Sequence, residues 1–367
     1  MADQKKALQI THIELQNFRC FDSFTLDIKE PVVLFEGING IGKTTLLEAL
    51  HYVCYLRSFR THTPRELIRF GQDAFFVKVN VQNLVHGQPF QHEIQVGFSH
   101  GKRVVKVDGR SISSYKELMQ HIRVISLTED DLALIKEGPQ YRRAFLDHAV
   151  LLTNPDYALL IKDFRQVVDN RNALLQQRAL NSGIYDVLTE QLWQKSILVQ
   201  QARTMALASL AESVQRVIEA YFDEGVRLSF SYHPKKGPYS SFDSFLMDNP
   251  GLKQEELRYG RSLFGAHLDD FVIHFQDKHS RAFASRGQQK LAVLLLKIAQ
   301  VVSLSEFESG AVFLLDDFMT DFDIDRSRRL IRGLMDLNAQ LVLTSPIQGG
   351  ELFRELAGRG AQVQSLI

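Results

Sequence analysis

Residues 37–44 read Gly37-Ile38-Asn39-Gly40-Ile41-Gly42-Lys43-Thr44 and follow the apolar run Val32-Val33-Leu34-Phe35. They fit the pattern GxxxxGK[ST], which has mechanistic meaning when a buried strand precedes it and a helix follows. Here residues 44–56 are rich in Leu, Ala and Tyr at helical spacing. Glycines let backbone N–H groups curl around a phosphate, because a Cβ would block the approach or the positive φ. The stretch predicts a phosphate-binding loop, and the alternative is a glycine-rich turn that matches by accident.

Each position of this loop has an expected role. The helix N-terminus adds partial positive charge, which favours a bound phosphate. Lys43 supplies a point charge to the β- and γ-phosphates, and the Thr44 hydroxyl is placed to ligate Mg²⁺. We therefore expect ATP and Mg²⁺ to bind at Gly37, Ile38, Asn39, Gly40, Ile41, Gly42, Lys43, Thr44 and Thr45.

A second apolar run near the C-terminus ends in two carboxylates. Val312-Phe313-Leu314-Leu315 reads as a buried strand and is followed by Asp316-Asp317, a Walker B pattern. Buried strands ending in one Asp are common in α/β folds, so the phosphate loop is what gives this pattern its meaning. We expect Asp316 to hold Mg²⁺ with Thr44, and Asp317 to orient the attacking water. The predicted catalytic residues are Lys43 and Asp317, with slow hydrolysis because Asp is one methylene shorter than the usual Glu.

The segment Ser285-Arg286-Gly287-Gln288-Gln289-Lys290 precedes an apolar helix and then the acidic strand. One interpretation is only a helix start, since Ser is a favoured N-cap. The other is an ABC signature, in which Ser285, Gly287 and Gln288 contact a γ-phosphate. The order of signature, helix and Walker B strand favours the second interpretation. A signature too far from its own phosphate loop must serve another protomer, which predicts a two-fold symmetric homodimer on ATP.

The two halves of this site are separated by roughly 270 residues. A large insertion must therefore divide the ATPase, and residues 141–221 have long helical periodicities with few breakers. A helix over 193–221 would be about 44 Å long. The predicted fold is α/β, an ABC/SMC-type ATPase head of the P-loop NTPase class with an inserted, mainly helical arm. The predicted domains are 1–138 (head), 139–225 (arm) and 226–367 (head).

Composition limits the class of protein. The chain has 367 residues, with 43 Lys plus Arg and 43 Asp plus Glu. Zero net charge excludes a protein that is basic all over, so contact with nucleic acid has to come from a local patch. The N-terminus has no apolar signal segment, and 291–304 is too short to span a bilayer, so we expect a cytoplasmic protein with no membrane partner.

Arginines form two clusters, at 57, 60, 65 and 69 and at 326, 328, 329 and 332. Solvated helix faces would explain about half of them, and a surface that tracks DNA phosphates would explain both clusters. Arg57 and Arg60 follow the phosphate-loop helix and could meet nucleotide instead. His267 and Asp270 form a weak metal pair, for which a structural hydrogen bond is the simpler interpretation. A D-loop is expected at Thr320-Asp321-Phe322-Asp323, and Ser345-Pro346 offers no switch histidine.

Several further segments carry a resemblance to one family along essentially the whole chain. They are Ile13-Glu14-Leu15-Gln16-Asn17-Phe18-Arg19, Arg57-Ser58-Phe59-Arg60, Glu137-Gly138-Pro139, Arg142-Arg143-Ala144-Phe145-Leu146-Asp147, Arg171-Asn172-Ala173-Leu174-Leu175 and Gly265-x-His267-x-x-Asp270. With the signature they resemble the RecF family, an SMC-like group of ABC ATPases. The resemblance implies a weak, DNA-stimulated ATPase that binds single-stranded, double-stranded and gapped DNA. It also implies work with RecR and RecO to load RecA, in DNA repair and SOS induction.

Two rival classes share the phosphate loop and signature. An ABC head that partners a nuclease needs an acidic metal-binding domain after the ATPase, and we expect no room for one after the last predicted strand. A transporter ATPase subunit has no place for the arm or for the Arg142-Arg143-Ala144-Phe145-Leu146-Asp147 run. Both rivals therefore fit the sequence less well than a regulatory DNA-binding ATPase.

Overall fold

The structure is a computed structural model. It describes residues 8–85, 88–113, 115–177, 181–222, 225–237, 240–305, 310–317, 322, 324–345 and 351–366. The chain separates into two compact units, which we call the head unit (1–132, 213–226 and 285–367) and the inserted unit (133–212 and 227–284). Within the described ranges, no helix is long and apolar enough to cross a membrane.

The strands and helices are numbered in chain order. The strands are β1 (Leu8–Phe18), β2 (Phe21–Asp27), β3 (Val32–Glu36), β4 (Ala74–Val85), β5 (Gln88–Ser99), β6 (Lys102–Val107), β7 (Arg110–Ser111), β8 (Val124–Leu127), β9 (Leu228–His233), β10 (Asp270–Phe275), β11 (Lys278–His279), β12 (Ala311–Leu315), β13 (Ala339–Ser345) and β14 (Gln362–Ser365). The helices are α1 (Lys43–Tyr55), α2 (Tyr115–His121), α3 (Ala133–Lys136), α4 (Pro139–Thr153), α5 (Tyr157–Leu175), α6 (Ser182–Tyr221), α7 (Phe242–Asp248), α8 (Leu252–Tyr259), α9 (Ser280–Phe283), α10 (Arg286–Ser305), α11 (Ile324–Asp336) and α12 (Glu351–Gly358).

A parallel sheet in the order β14-β3-β13-β12-β8 forms the centre of the head unit. Every residue of β8, β12 and β13 is buried, which explains why these strands read as continuous apolar runs. All five strands run the same way, so the segments that follow β3 and β12 emerge at one edge of the sheet. The phosphate loop and the acidic pair are therefore placed on the same edge.

An antiparallel sheet in the order β2-β1-β4-β5-β6-β7 packs in the same unit. Val77, Val79 and Val81 on β4 alternate with more exposed residues, as in a sheet with one buried face. They share a core with the apolar face of α1, including Leu46 and Leu50. This packing holds the helix that begins at Lys43.

The inserted unit contains α4, α5, residues 182–212 of α6, α7, α8 and the small sheet in the order β11-β10-β9. An ion pair in it is entirely buried: Arg171 Nη2 donates to Glu256 Oε2 at 2.6 Å, and both side chains are 0% exposed. Tyr185 also donates to this carboxylate, at 2.8 Å, and the Arg171 guanidinium lies over the Tyr185 ring. Thus Arg171, singled out in the sequence, ties α5, α6 and α8 together.

The strands predicted at 32–35 and 312–315 and the helix predicted after the phosphate loop are confirmed as β3, β12 and α1. The helix expected over 193–221 begins earlier, at Ser182, because Asn181 Oδ1 accepts a hydrogen bond from Ile184 N at its start. The predicted domain boundaries, 138/139 and 225/226, differ from those of the compact units. Residues 227–284 belong to the inserted unit because Phe245 and Phe264 pack in the core of its helices.

Candidate nucleotide site

The loop between β3 and α1 has a backbone that only glycine adopts easily. Gly40 and Gly42 have φ of 86° and 114°. A Cβ on Gly42 would lie 2.7 Å from Phe21 Cζ and 2.9 Å from Cys20 Sγ, closer than real contacts allow. Gly42 is also the N-cap of α1, so the loop delivers the chain to a helix N-terminus. This is the geometry of a backbone anion cradle.

Lys43 is buried at the start of α1, and its ammonium caps the loop. The Nζ atom donates to the carbonyl oxygens of Gly37 at 2.7 Å and Ile38 at 2.9 Å. Burial lowers the pKa of Lys43, and the charges of Asp317 and Asp316 oppose this shift. The Lys43 ammonium thus lies between the loop carbonyl oxygens and the charges of Asp316 and Asp317. A bound polyphosphate would compete with these groups for the ammonium.

Thr44 and Asp316 meet although 272 residues separate them in the chain. The Thr44 hydroxyl lies 2.8 Å from Asp316 Oδ2, to which it donates, and 3.0 Å from Oδ1. Hydroxyl and carboxylate oxygens are the donors that Mg²⁺ prefers. This pair therefore fits the predicted metal ligands, and the structure brings together the loop and the acidic strand end.

Thr344 completes this edge of the sheet, and sequence reasoning missed it. It lies at the end of β13, between β3 and β12, and its hydroxyl donates to Asp316 Oδ1 at 2.7 Å. The same hydroxyl accepts from Asp317 N at 2.9 Å. Asp317 has φ 44°, a left-handed conformation that Asp tolerates better than most residues. The sequence signal that could have revealed Thr344 is its position as a polar residue at the carboxyl end of the apolar strand β13.

Glu48 is a second residue that the sequence did not reveal. It lies on α1 with its side chain wholly buried, and Arg19 donates to it through Nε at 3.0 Å and Nη2 at 2.7 Å. Ser58 Oγ also donates to this carboxylate, and Arg60 Nη1 lies 3.6 Å away. Two segments singled out in the sequence, around Arg19 and Arg60, are therefore fastened to the phosphate-loop helix by one carboxylate.

The predicted signature residues lie at the N-terminus of α10. Ser285 Oγ accepts from Gln288 N at 3.3 Å, and Gln288 Oε1 accepts from Ser285 N at 2.8 Å, a reciprocal capping box. Ser285 is exposed, and one turn further Lys290 Nζ donates to the carbonyl oxygen of Asp317 at 3.3 Å. The helix therefore abuts the acidic strand end, while Ser285, Gly287 and Gln288 are not joined to the phosphate loop by any hydrogen bond among the described residues.

Other predicted residues have different outcomes. Asp270 forms a bidentate pair with Arg142 at 2.6 and 2.9 Å, while burial lowers the pKa of His267 to about 4. Arg69 pairs with Asp22 at 2.6 Å, and Arg328 with Glu355 at 3.6 Å. The expected D-loop residues Thr320, Asp321 and Asp323, Pro346 and the side chain of Arg326 lie outside the described residues.

The chain is similar to known proteins over most of its length. Over residues 9–349 it matches the family described as RecF/RecN/SMC N terminal domain. The chain belongs to the RecF/RecN/SMC family. This family member is 29% identical over 348 residues to the DNA replication and repair protein RecF of Geobacter sp. (strain M21), covering 92% of this chain and 93% of that one. It is 28% identical over 354 residues to that of Acholeplasma laidlawii (strain PG-8A), covering 95% and 97%.

Solved structures share the fold of this chain. The RecF/RecN/SMC chain superposes on the recombination mediator protein RecF-ATP in the RecFOR pathway with a TM-score of 0.83, at 24% identity over 95% of both chains. It also superposes on an Smc head bound to the C-winged helix domain of ScpA, with a TM-score of 0.56 and 14% identity. That superposition covers 92% of this chain and 90% of the Smc chain. The predicted ABC/SMC-type α/β fold and the resemblance to RecF are confirmed.

Proposed function

We propose that this RecF/RecN/SMC protein binds and slowly hydrolyses ATP, and that ATP controls its pairing on DNA during DNA repair. The observation that carries the proposal is the contact between Thr44 and Asp316, 2.8 Å apart across 272 residues. A phosphate loop and an acidic strand end that converge in this way suit a nucleoside triphosphate with Mg²⁺. Mg²⁺, when bound, would be held by Thr44 and Asp316 and would supply positive charge against the phosphates.

Different residues of the site bind the phosphates, hold the metal and orient the attacking water. The N–H groups of 37–45 and the Lys43 ammonium would bind the phosphates, and Thr44 and Asp316 would hold the metal. Asp317 accepts a hydrogen bond from the attacking water and orients it toward the γ-phosphate. Thr344 fixes the backbone of Asp317 through the hydrogen bond at 2.9 Å. Hydrolysis is slow because the short Asp317 side chain has to reach that water.

A second copy of the chain completes the site. Ser285, Gly287 and Gln288 of each protomer contact the γ-phosphate bound to the other protomer's loop. The exposed position of Ser285 at the N-terminus of a 20-residue helix supports this role, since such a terminus attracts anions. ATP therefore links two heads and hydrolysis releases them.

DNA is the proposed partner of the paired heads. Arg57, Arg60 and Arg65 have exposed side chains, as a surface that contacts DNA phosphates requires. Contacts to the phosphate backbone carry no sequence readout, so single-stranded, double-stranded and gapped DNA would all bind. The relatives named as DNA replication and repair proteins support a role in repair. Joint work with RecO and RecR in loading RecA is the part of the proposal that comes from the resemblance to RecF.

Sedimentation velocity with and without ATP and gapped DNA tests this proposal. We expect a monomer without nucleotide and a dimer with ATP, and we expect the dimer to sediment with the DNA. Ser285→Arg should bind ATP but remain a monomer, because the guanidinium blocks the γ-phosphate contact. Ser241→Arg is the matched control, since Ser241 is an exposed N-cap of α7. A Ser285→Arg protein that still dimerises with ATP refutes the trans-acting signature.

A further inference from the structure

The backbone of Asp317 leaves the parallel sheet and is held there by two side chains. Asp316 N donates to the carbonyl oxygen of Leu127 at 2.9 Å and so continues the ladder between β12 and β8. Asp317 is the next residue, and its φ of 44° takes the chain out of the strand. The Thr344 hydroxyl accepts from Asp317 N at 2.9 Å, and Lys290 Nζ donates to the carbonyl oxygen of Asp317 at 3.3 Å. The two peptide planes that flank the Asp317 Cα are therefore both fastened.

Fixed peptide planes matter most for a short side chain. The carboxylate of Asp317 is joined to Cα through one methylene group, so its position follows the direction of the Cα–Cβ bond. A misplacement of about 1 Å in an active site lowers a rate by up to about 100-fold. The left-handed φ of Asp317 is also a conformation that persists where the surrounding structure holds it. Contacts that fix the Asp317 backbone therefore fix the group assigned to orient the attacking water.

Lys290 supplies one of these contacts from α10, the helix that begins beside the predicted signature residues. It lies one turn beyond Ser285 and is 5% exposed. A buried ammonium requires hydrogen-bond acceptors, because burial removes its water. The carbonyl oxygen of Asp317 is one of its acceptors. The contact is thus a buried, charge-assisted one, which solvent screens little.

The helix that carries Lys290 is anchored to the same sheet. Lys297 Nζ lies 2.7 Å from Asp131 Oδ1, and the other oxygen of this carboxylate accepts from Thr128 N at 2.8 Å. Thr128 directly follows β8, the strand that pairs with β12. Lys290 therefore reaches Asp317 from a helix that is fastened to the neighbouring strand, as a positioning contact requires.

We propose that Lys290 is a positioning residue for ATP hydrolysis, because it holds the Asp317 peptide so that the carboxylate faces the attacking water. This inference rests on the proposed function and adds a residue to that site. In this role Lys290 acts through Asp317 and binds neither the phosphates nor the metal. Its removal should therefore lower kcat while ATP binding and ATP-dependent pairing stay intact.

Steady-state hydrolysis and sedimentation with ATP test the inference in the full-length protein. Lys290→Met should lower kcat about tenfold and leave KM within about twofold, the signature of an interaction that serves the transition state alone. Lys290→Gln, whose side chain is polar but too short to reach, should show the same loss and replaces the Met variant if that one does not fold. Lys290→Arg keeps an N–H donor and should stay within about threefold of the wild-type kcat. Lys297→Met is the matched control, because it removes another buried lysine from α10 without touching Asp317.

A double-mutant cycle with Thr344→Val tests whether both side chains act on the same peptide. Each single change should lower kcat about tenfold, and independent effects would multiply to about 100-fold. Once either bond is lost, the Asp317 carboxylate is already misplaced, so the double variant should lose no more than about 20-fold. A lysine that only stabilises the helix would not produce this coupling.

The contrary outcomes are distinct. If Lys290→Met and Lys290→Gln pair with ATP and hydrolyse it at the wild-type rate, the positioning role is refuted and the proposed function stands. Equal losses of kcat for Met and Arg, or a multiplicative loss in the double variant, would show that Lys290 does not act through Asp317. If the Met and Gln variants no longer pair with ATP, Lys290 serves the signature instead and the inference fails. If wild type neither binds nor hydrolyses ATP, the proposed function itself fails.

Discussion

Thr344→Val is the perturbation whose consequence follows most closely from the site geometry. Valine has nearly the same shape, but it loses the hydroxyl that donates to Asp316 at 2.7 Å and accepts from Asp317 N at 2.9 Å. A hydrogen bond to a charged group contributes about 1.5–3 kcal/mol, and an unsatisfied buried N–H costs about 1–3 kcal/mol. Because Asp317 is only half-buried, water compensates in part, and we expect a loss of about 2–4 kcal/mol.

The loss should appear in both stability and rate. Urea unfolding measures the first, and steady-state ATP hydrolysis the second. If about half of this free energy positions Asp317 in the transition state, its loss should lower kcat roughly tenfold, because about 1.4 kcal/mol corresponds to a factor of ten in rate. Thr344→Ser keeps the hydroxyl and removes one methyl group, so it should lose only about 1 kcal/mol and hydrolyse ATP normally. Equal effects of Val and Ser on the rate would refute the role assigned to the hydroxyl.

Three other perturbations test separate parts of the structure. Lys43→Arg should lower kcat about 100-fold while fluorescent ATP still binds, because the planar guanidinium cannot reproduce the ammonium contacts; an unchanged kcat contradicts this. Arg171→Met should lower the free energy of unfolding, measured in urea, by about 3–5 kcal/mol, because Glu256 stays buried without its cation. A loss under about 1 kcal/mol would contradict the role of this ion pair. The His267 pKa near 4 lies below the unfolded value of about 6.5, so stability is full above pH 6.5 and falls as pH drops. Between pH 7 and 5 wild type should lose about 2 kcal/mol more than His267→Gln; equal losses would exclude this linkage.

Local patterns explain how much of the site could be predicted. The phosphate loop and the acidic strand end are short segments, and the residues that give each its chemistry are consecutive in the sequence. Parallel strands place the segments after their carboxyl ends on one edge, so the meeting of Thr44 with Asp316 follows from two correct strand assignments. The capping residues of α10 were also readable, because Ser285 and Gln288 have the spacing of a capping box.

Long-range partners explain what could not be predicted. Thr344 acts through the position of β13 between β3 and β12, and strand order is not local information. Glu48 lies among apolar residues of α1, and the partners that compensate its buried charge come from other segments, including Arg19, 29 residues away. The unit boundaries depend on residues 227–284 packing with helices that precede them by many residues, which no composition shift indicates.

Two copies of the chain share each nucleotide in the proposed dimer, and mixing two inactive variants tests this sharing directly. Ser285→Arg keeps an intact phosphate loop, and Lys43→Ala keeps an intact signature. Each alone should hydrolyse almost no ATP. Mixed, they should form a heterodimer in which one of the two sites is complete.

Steady-state hydrolysis over a titration of one variant into the other is the measurement. Activity should reappear, approach half of the wild-type value per dimer, and rise with the concentration of the second variant. Mixtures that stay as inactive as their components, while each variant remains folded, would show that loop and signature act within one chain and would contradict the account.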